Sequence, residues 1–244
     1  MGADLKSLDL FILHALNSLC GTNWFLDHVV GLLQFNNLVK IGPFLIIFWA
    51  SWFKSPNQDQ NRQKLILLLF AVFIAVIANR ALSEIMPFRA RPIFVPEIGI
   101  RPSLLEYPIS ARLENFSSFP SDNAALLSAM AAALWFVSRP IGILLSAWAT
   151  CALLARVYFG VHFPSDIIVG SLIGMGAAVI ANRNSYLRSL AALVVATERR
   201  AAPYFYAAFF LATFEIGTLF VDVRQLANGA FKVLHHFVSL HGSS

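Results

Sequence analysis

Six apolar runs, each long enough to cross a bilayer, leave few folds open to this sequence. A crossing helix needs roughly 17–25 mostly apolar residues, and candidates lie near 37–53, 64–86, 120–138, 140–159, 164–182 and 202–221. Charged residues make up only 13% of the chain, whereas a soluble domain carries about a quarter. The expected fold is therefore all-α, a polytopic integral membrane protein built as a six-span helical bundle. Residues 37–222 form that membrane domain, which leaves no room for a sizeable soluble module. Residues 1–36 mix Leu, Phe and Val with Asp9, His14 and Asp27, a pattern expected of amphipathic interfacial helices. Residues 223–244 carry Val223, Leu226, Phe231, Leu234 and Phe237 at helical spacing and are expected to behave likewise. No basic region followed by an apolar core and cleavage site opens the chain, so no removable signal peptide is expected.

The net charge of +5 does not point to nucleic acid, because membrane proteins keep excess Lys and Arg in their cytoplasmic loops. Lys54, Arg62 and Lys64, then Arg139, then Arg183, Arg188, Arg199 and Arg200 fall in three loops that six spans place on one side. That side reads as cytoplasmic. Both termini, the loop 87–119 and the turn near 160–164 then face outward, with the protein in the cell inner membrane. Loop 87–119 breaks the charge rule locally with Arg89, Arg91, Arg101 and Arg112. Arginines kept on the wrong side need a reason, and an anion is the simplest. Cys20 and Cys151 fit no metal-ligand spacing, and Cys151 reads as a small hydrophobe in an apolar run.

Phe-Pro-Ser-Asp occurs twice, at 119–122 and 163–166, each time just before an apolar run. Proline suits the first turn of a helix, and Ser or Asp caps its free amides. Each copy is expected to open a helix on the outer face, where unpaired N–H groups and the positive dipole end make an anion site. Taken alone, the repeat serves equally well as a plain helix start. Around the second copy stand Arg156, His162 and Asp166, between two spans. A carboxylate four residues after His162 can accept one imidazole N–H and free the other nitrogen for attack. Arg156 offers a planar fork of donors to phosphate oxygens. Ionisable residues at membrane depth are costly and tend to be functional.

Arg156, five residues, His162, three residues and Asp166 together resemble the third signature of the type-2 phosphatidic acid phosphatase superfamily, with Ala155 in place of its serine. Pro120-Ser121-Asp122-Asn123 aligns with the second signature, Pro-Ser-Gly-His. Glu84, six residues, then Arg91-Pro92 aligns with the first, Lys, six residues, Arg-Pro. Roughly residues 37–183 share the resemblance, and Ser-Phe-Pro-Ser-Asp looks especially like bacterial undecaprenyl-diphosphate phosphatases. The resemblance implies that His162 attacks phosphorus to give a phosphohistidine and that Asp166 orients it. Arg91, Arg156, Ser121 and the amides near 121–123 would hold the phosphate, with no metal and no cofactor. The site would lie at the outer ends of spans two to five, under loop 87–119.

Two departures bear on the substrate. Asn123 replaces the histidine that protonates the leaving group, and Glu84 replaces a phosphate-binding lysine. General acid catalysis contributes roughly 10²–10⁴ in rate. A monoester expels an alkoxide, a base about as strong as hydroxide; a diphosphate expels a phosphate whose second pKa is about 6. Losing the acid therefore favours a lipid diphosphate such as undecaprenyl diphosphate. Asp122 is a substitute acid if its environment raises its pKa. Glu84 either pairs with Arg80 one turn away or reads a cationic or hydroxyl group of the substrate. The alternatives are a phosphotransferase passing the group to another lipid or glycan, and a non-catalytic lipid-phosphate scaffold. The sequence leaves the lipid, the acceptor and the oligomeric state open.

Overall fold

The computed structural model describes residues 2–54, 58–105, 111–221 and 223, and these are helical with no strand among them. They fall into two compact units, up to Ala196 and from Thr197 onward. The first begins with α1 (Gly2–Asn17), α2 (Trp24–Phe35), α3 (Asn37–Phe53) and α4 (Gln58–Ile85). A loop with three short 3₁₀ turns, the last of them Ala111–Asn115, leads to α5 (Asp122–Val137), α6 (Arg139–Tyr158) and α7 (Pro164–Arg183). The last helix, α8 (Ser185–Gly217), loses helical geometry at Ala201, φ −145° and ψ 50°. Pro203, two residues later, has no N–H to offer the carbonyl one turn back.

Helices α4, α6 and α7 are each long and apolar enough to cross a membrane, and α2 with α3, bent by 56°, pass together as a broken fourth. Exposed Ile46, Ile77, Leu144, Ile168 and Leu172 are the lipid-facing surface such a protein needs. The chain is thus a multi-pass membrane protein. Helix α3 begins and ends where the first expected span does, and Asn36 sets its start by accepting the Val39 N–H at 3.1 Å. The interval 183–200, expected as a loop, is helical except at Asn184, because residues 185–200 include neither proline nor glycine to interrupt the backbone. The expected amphipathic tail beyond residue 223 lies outside the described residues.

The N-terminal segment differs from its expected pattern in one respect. Asp9 and Asp27 are buried, at 7% and 0% exposure, and turn toward protein instead of water. Asp27 accepts from Gly21 N, from Ser103 Oγ at 2.8 Å and from Leu104 N at 2.7 Å, and from the Tyr158 hydroxyl. One carboxylate thereby ties the loop after α4 to the end of α6.

Helix α5 sits at the centre of the first unit, against α4, α6 and α7. Its buried Ala124, Ala125 and Ala129 meet Gly170 and Gly174 of α7, a spacing of small residues that lets two backbones approach. A Cβ at Gly174 would collide with the Ala125 carbonyl oxygen and the Ala129 nitrogen, whereas one at Gly176 would meet nothing within 4 Å. Gly174→Val is expected to cost about 1–3 kcal/mol and lower the melting temperature in detergent, with Gly176→Ala unchanged. Equal melting temperatures for the two would refute the tight α5–α7 seam.

Candidate active site

The two Phe-Pro-Ser-Asp copies meet at one end of the bundle, but in different register. In the first, Ser121 is the N-cap and Pro120 precedes the helix; in the second, Phe163 is the N-cap and Pro164 the first helical residue. The Ser121 N–H donates to the Asp166 carbonyl at 3.1 Å, joining the two helix starts. Ser121 provides no side-chain cap for α5, and its Oγ, like Asn123 Oδ1, is buried without a partner. The first turn of α5 therefore faces the site with its end uncapped, the arrangement an anion fills.

His162 occupies the turn between α6 and α7 and is 2% exposed. Its Nδ1 lies 2.9 Å from the Ser118 carbonyl oxygen, which can only accept. The proton therefore sits on Nδ1, and Nε2 carries a lone pair. Toward that lone pair point Arg91 Nη1 at 2.8 Å and Arg156 Nη2 at 2.9 Å. Burial, then the charges of Arg156 and Arg91, hold the imidazole well below its usual pKa, with the Ser118 carbonyl opposing. The ring is neutral, and its lone pair lies between two cations.

Both arginines are held by neutral acceptors. Arg91 donates to the carbonyls of Leu113, Val161 and Ser117 at 3.2–3.3 Å. Burial lowers its pKa, and the carboxylates of Asp122 and Asp166 oppose that shift; a guanidinium stays charged regardless. Arg156 reaches the Gln34 side-chain oxygen at 3.4 Å, and its Nε is buried without a partner.

Asp166 stands beside His162 as expected but does not hydrogen-bond to the ring. Its Oδ2 stands 3.5 Å from His162 Nδ1, farther than the Ser118 carbonyl, and accepts the Phe163 N–H at 2.9 Å. A carboxylate in the third position of a helix naturally turns back to the N-cap amide. Its Oδ1 takes Arg89 Nη1 at 2.6 Å. Arg89 also reaches Asp9 at 2.7 Å and Ser165 at 2.8 Å and lies over the Phe163 ring. Asp9 in turn accepts the Ser165 N–H at 2.8 Å. The tautomer is thus set by a backbone carbonyl, while Asp166 supplies nearby negative charge and braces the turn that holds His162.

Of the remaining expected residues, Asp122 Oδ1 accepts from Asn79 of α4 at 2.7 Å, so that oxygen acts as an acceptor and not as a proton donor. Glu84 makes its ion pair with Arg80 at 2.6 Å, with both side chains exposed, and this is the pairing form of the two expectations. The sequence reading missed Ser118, Arg89, Asp9, Asn79 and Gln34. Only Arg89 had left a signal, as one of the outward arginines.

The geometry carries a direct spectroscopic expectation. Nitrogen shifts of labelled His162 should show the neutral, Nδ1-protonated form at pH 6.5, titrating below that value. Arg156→Met should move the midpoint upward, because one cation that disfavours protonation is gone. A midpoint at or above 6.5 in the unaltered protein would contradict this arrangement.

The chain is similar to several known proteins. The bacitracin transport permease protein BcrC of Bacillus licheniformis is 24% identical over 167 residues, 65% of this chain and 73% of that protein. The crystal structure of Aquifex aeolicus LpxE superposes with a TM-score of 0.55 at 23% identity, covering 72% of this chain and 96% of that one. A transmembrane PAP2-type phosphatidylglycerolphosphate phosphatase from Bacillus subtilis gives 0.50 at 22% identity, over 73% and 85% of the two chains. Residues 64–190, just over half the chain and including His162, Arg91 and Arg156, match the PAP2 superfamily. The chain belongs to that superfamily.

Proposed function

We propose that this membrane lipid phosphatase removes the terminal phosphoryl group of a polyprenyl diphosphate, with undecaprenyl diphosphate the expected lipid, through a phosphohistidine at His162. One observation carries the reading: an unprotonated Nε2 lies within 2.9 Å of two guanidinium groups while Nδ1 is committed to a carbonyl. Incoming phosphoryl oxygens take over the Arg91 and Arg156 donors and free the lone pair. Nε2 then bonds to the terminal phosphorus as the bridging P–O bond breaks, and its electron pair leaves with the lipid monophosphate. The ring becomes cationic, and the nearby Asp166 carboxylate offsets that charge. A water oxygen next attacks phosphorus, the N–P bond breaks, and the lone pair returns to Nε2 as the water gives up a proton to solvent. Positioning and fixed charge supply most of the rate, as in phosphoryl transfer generally.

Asn123 supports the choice of a diphosphate. An amide is no general acid, and a phosphate leaving group needs little protonation. The amide and the buried Ser121 hydroxyl remain as polar contacts at the uncapped start of α5. Turns at Ser138 and Asn184 lie at the opposite ends of α5–α7, next to Arg139, Arg183 and Arg188. Basic residues there support a cytoplasmic placement of that end and a periplasmic site. Six crossings follow if α5 and the part of α8 after Ala201 join the four spans above.

The test is phosphate release by purified protein in detergent with EDTA present, from polyprenyl diphosphate, polyprenyl monophosphate and phosphatidic acid. Release from the diphosphate, lost in His162→Ala, is expected. Label appearing in a second lipid would instead establish a phosphotransferase. Binding without release would establish a scaffold. Asn123→His should raise monophosphate hydrolysis by about 10²-fold or more and diphosphate hydrolysis far less. Equal gains on both substrates would count against the leaving-group argument.

A further inference from the structure

A third cation lies buried at the same end of the bundle, outside the region matched to the superfamily. Lys40, on the first turn of α3, is 3% exposed, and its ammonium donates to the Gln34 carbonyl at 3.1 Å. Among the described residues no carboxylate pairs with it. The side-chain oxygen of the same Gln34 accepts from Arg156, so one glutamine joins two buried cations whose charges oppose each other. Trp148 of α6 fixes the arrangement by donating its indole N–H to the Val39 and Lys40 carbonyls at 3.2 and 3.3 Å. Arg156 lies two turns further along that helix.

Two like charges out of water are costly unless an anion joins them. Here the protein supplies only neutral acceptors, a carbonyl for Lys40 and an amide oxygen and the His162 ring for Arg156, and Arg156 Nε is left bare. A single phosphoryl group at His162 is already served by Arg91, Arg156 and the start of α5. We propose that Lys40, with Gln34 holding it beside Arg156, forms a second anion subsite that takes the lipid-bound phosphate of a diphosphate. This rests on the phosphatase reading above and names the residue that makes the substrate a diphosphate. As the bridging bond breaks, negative charge collects on the leaving phosphate, and the ammonium hydrogen-bonds to it without giving up a proton. Lys40 thus provides from α3 a cation that the chain lacks at position 84, where Glu84 is engaged by Arg80.

The experiment titrates full-length protein in detergent with inorganic pyrophosphate and with orthophosphate by calorimetry. Lys40→Met and the polar, near-isosteric Lys40→Gln are compared with the unaltered protein. Pyrophosphate should bind more tightly than orthophosphate. Removing the charge should weaken pyrophosphate by about 10–100-fold, the worth of a charged hydrogen bond, and leave orthophosphate within about threefold. Equal weakening of both ligands, or of neither, in whichever variant stays folded would overturn the subsite. Neither titration needs turnover. Protein that binds pyrophosphate through Lys40 yet releases nothing from polyprenyl diphosphate would sink the phosphatase reading and keep the subsite.

Discussion

The lone pair on His162 Nε2 is the constraint around which the first unit is arranged. A protonated ring could not sit between the guanidinium groups of Arg91 and Arg156, so the site requires a neutral imidazole with its one hydrogen directed elsewhere. Ser118 provides that direction with a carbonyl, which cannot reverse the hydrogen bond as a hydroxyl could. The arginines in turn must be positioned without being neutralised. Arg91 is held by three backbone carbonyls and Arg156 by one amide oxygen. Each acceptor fixes geometry and leaves the full positive charge for an incoming anion.

That arrangement depends on close backbone approach. Glycines on α7 and alanines on α5 bring the two helix starts together until the Ser121 amide reaches the Asp166 carbonyl. Bulkier residues along the seam would push the start of α5 away from the turn carrying His162. The small residues that pack α5 on α7 thus also set the width of the proposed phosphate site.

Legibility in the sequence followed the kind of atom involved. Arg91, Arg156 and His162 were found because side chains with fixed spacing leave a pattern, and the spans α4, α6 and α7 because hydropathy does. Ser118 was missed because its working atom is a backbone carbonyl, which every residue has. Asp9, Lys40 and Gln34 were missed because they come from helices distant in sequence from the signatures. Asp9 also looked like a residue facing water, since an acidic side chain among Leu and Phe reads the same whether it meets solvent or a partly buried arginine. The repeated Phe-Pro-Ser-Asp pointed correctly to two helix starts and concealed their different registers. Asp166 showed the opposite problem: its position was legible, but the amide of Phe163 and the guanidinium of Arg89 claimed both its oxygens.

The link between Asp9 and Ser165 spans 156 residues. Ribosomes deliver the first of these long before the second, so the brace behind His162 closes only once the start of α7 has been made. A half-made chain already has several of its helices but cannot yet fix the turn that carries His162. Rigidity at that turn therefore arrives late in synthesis.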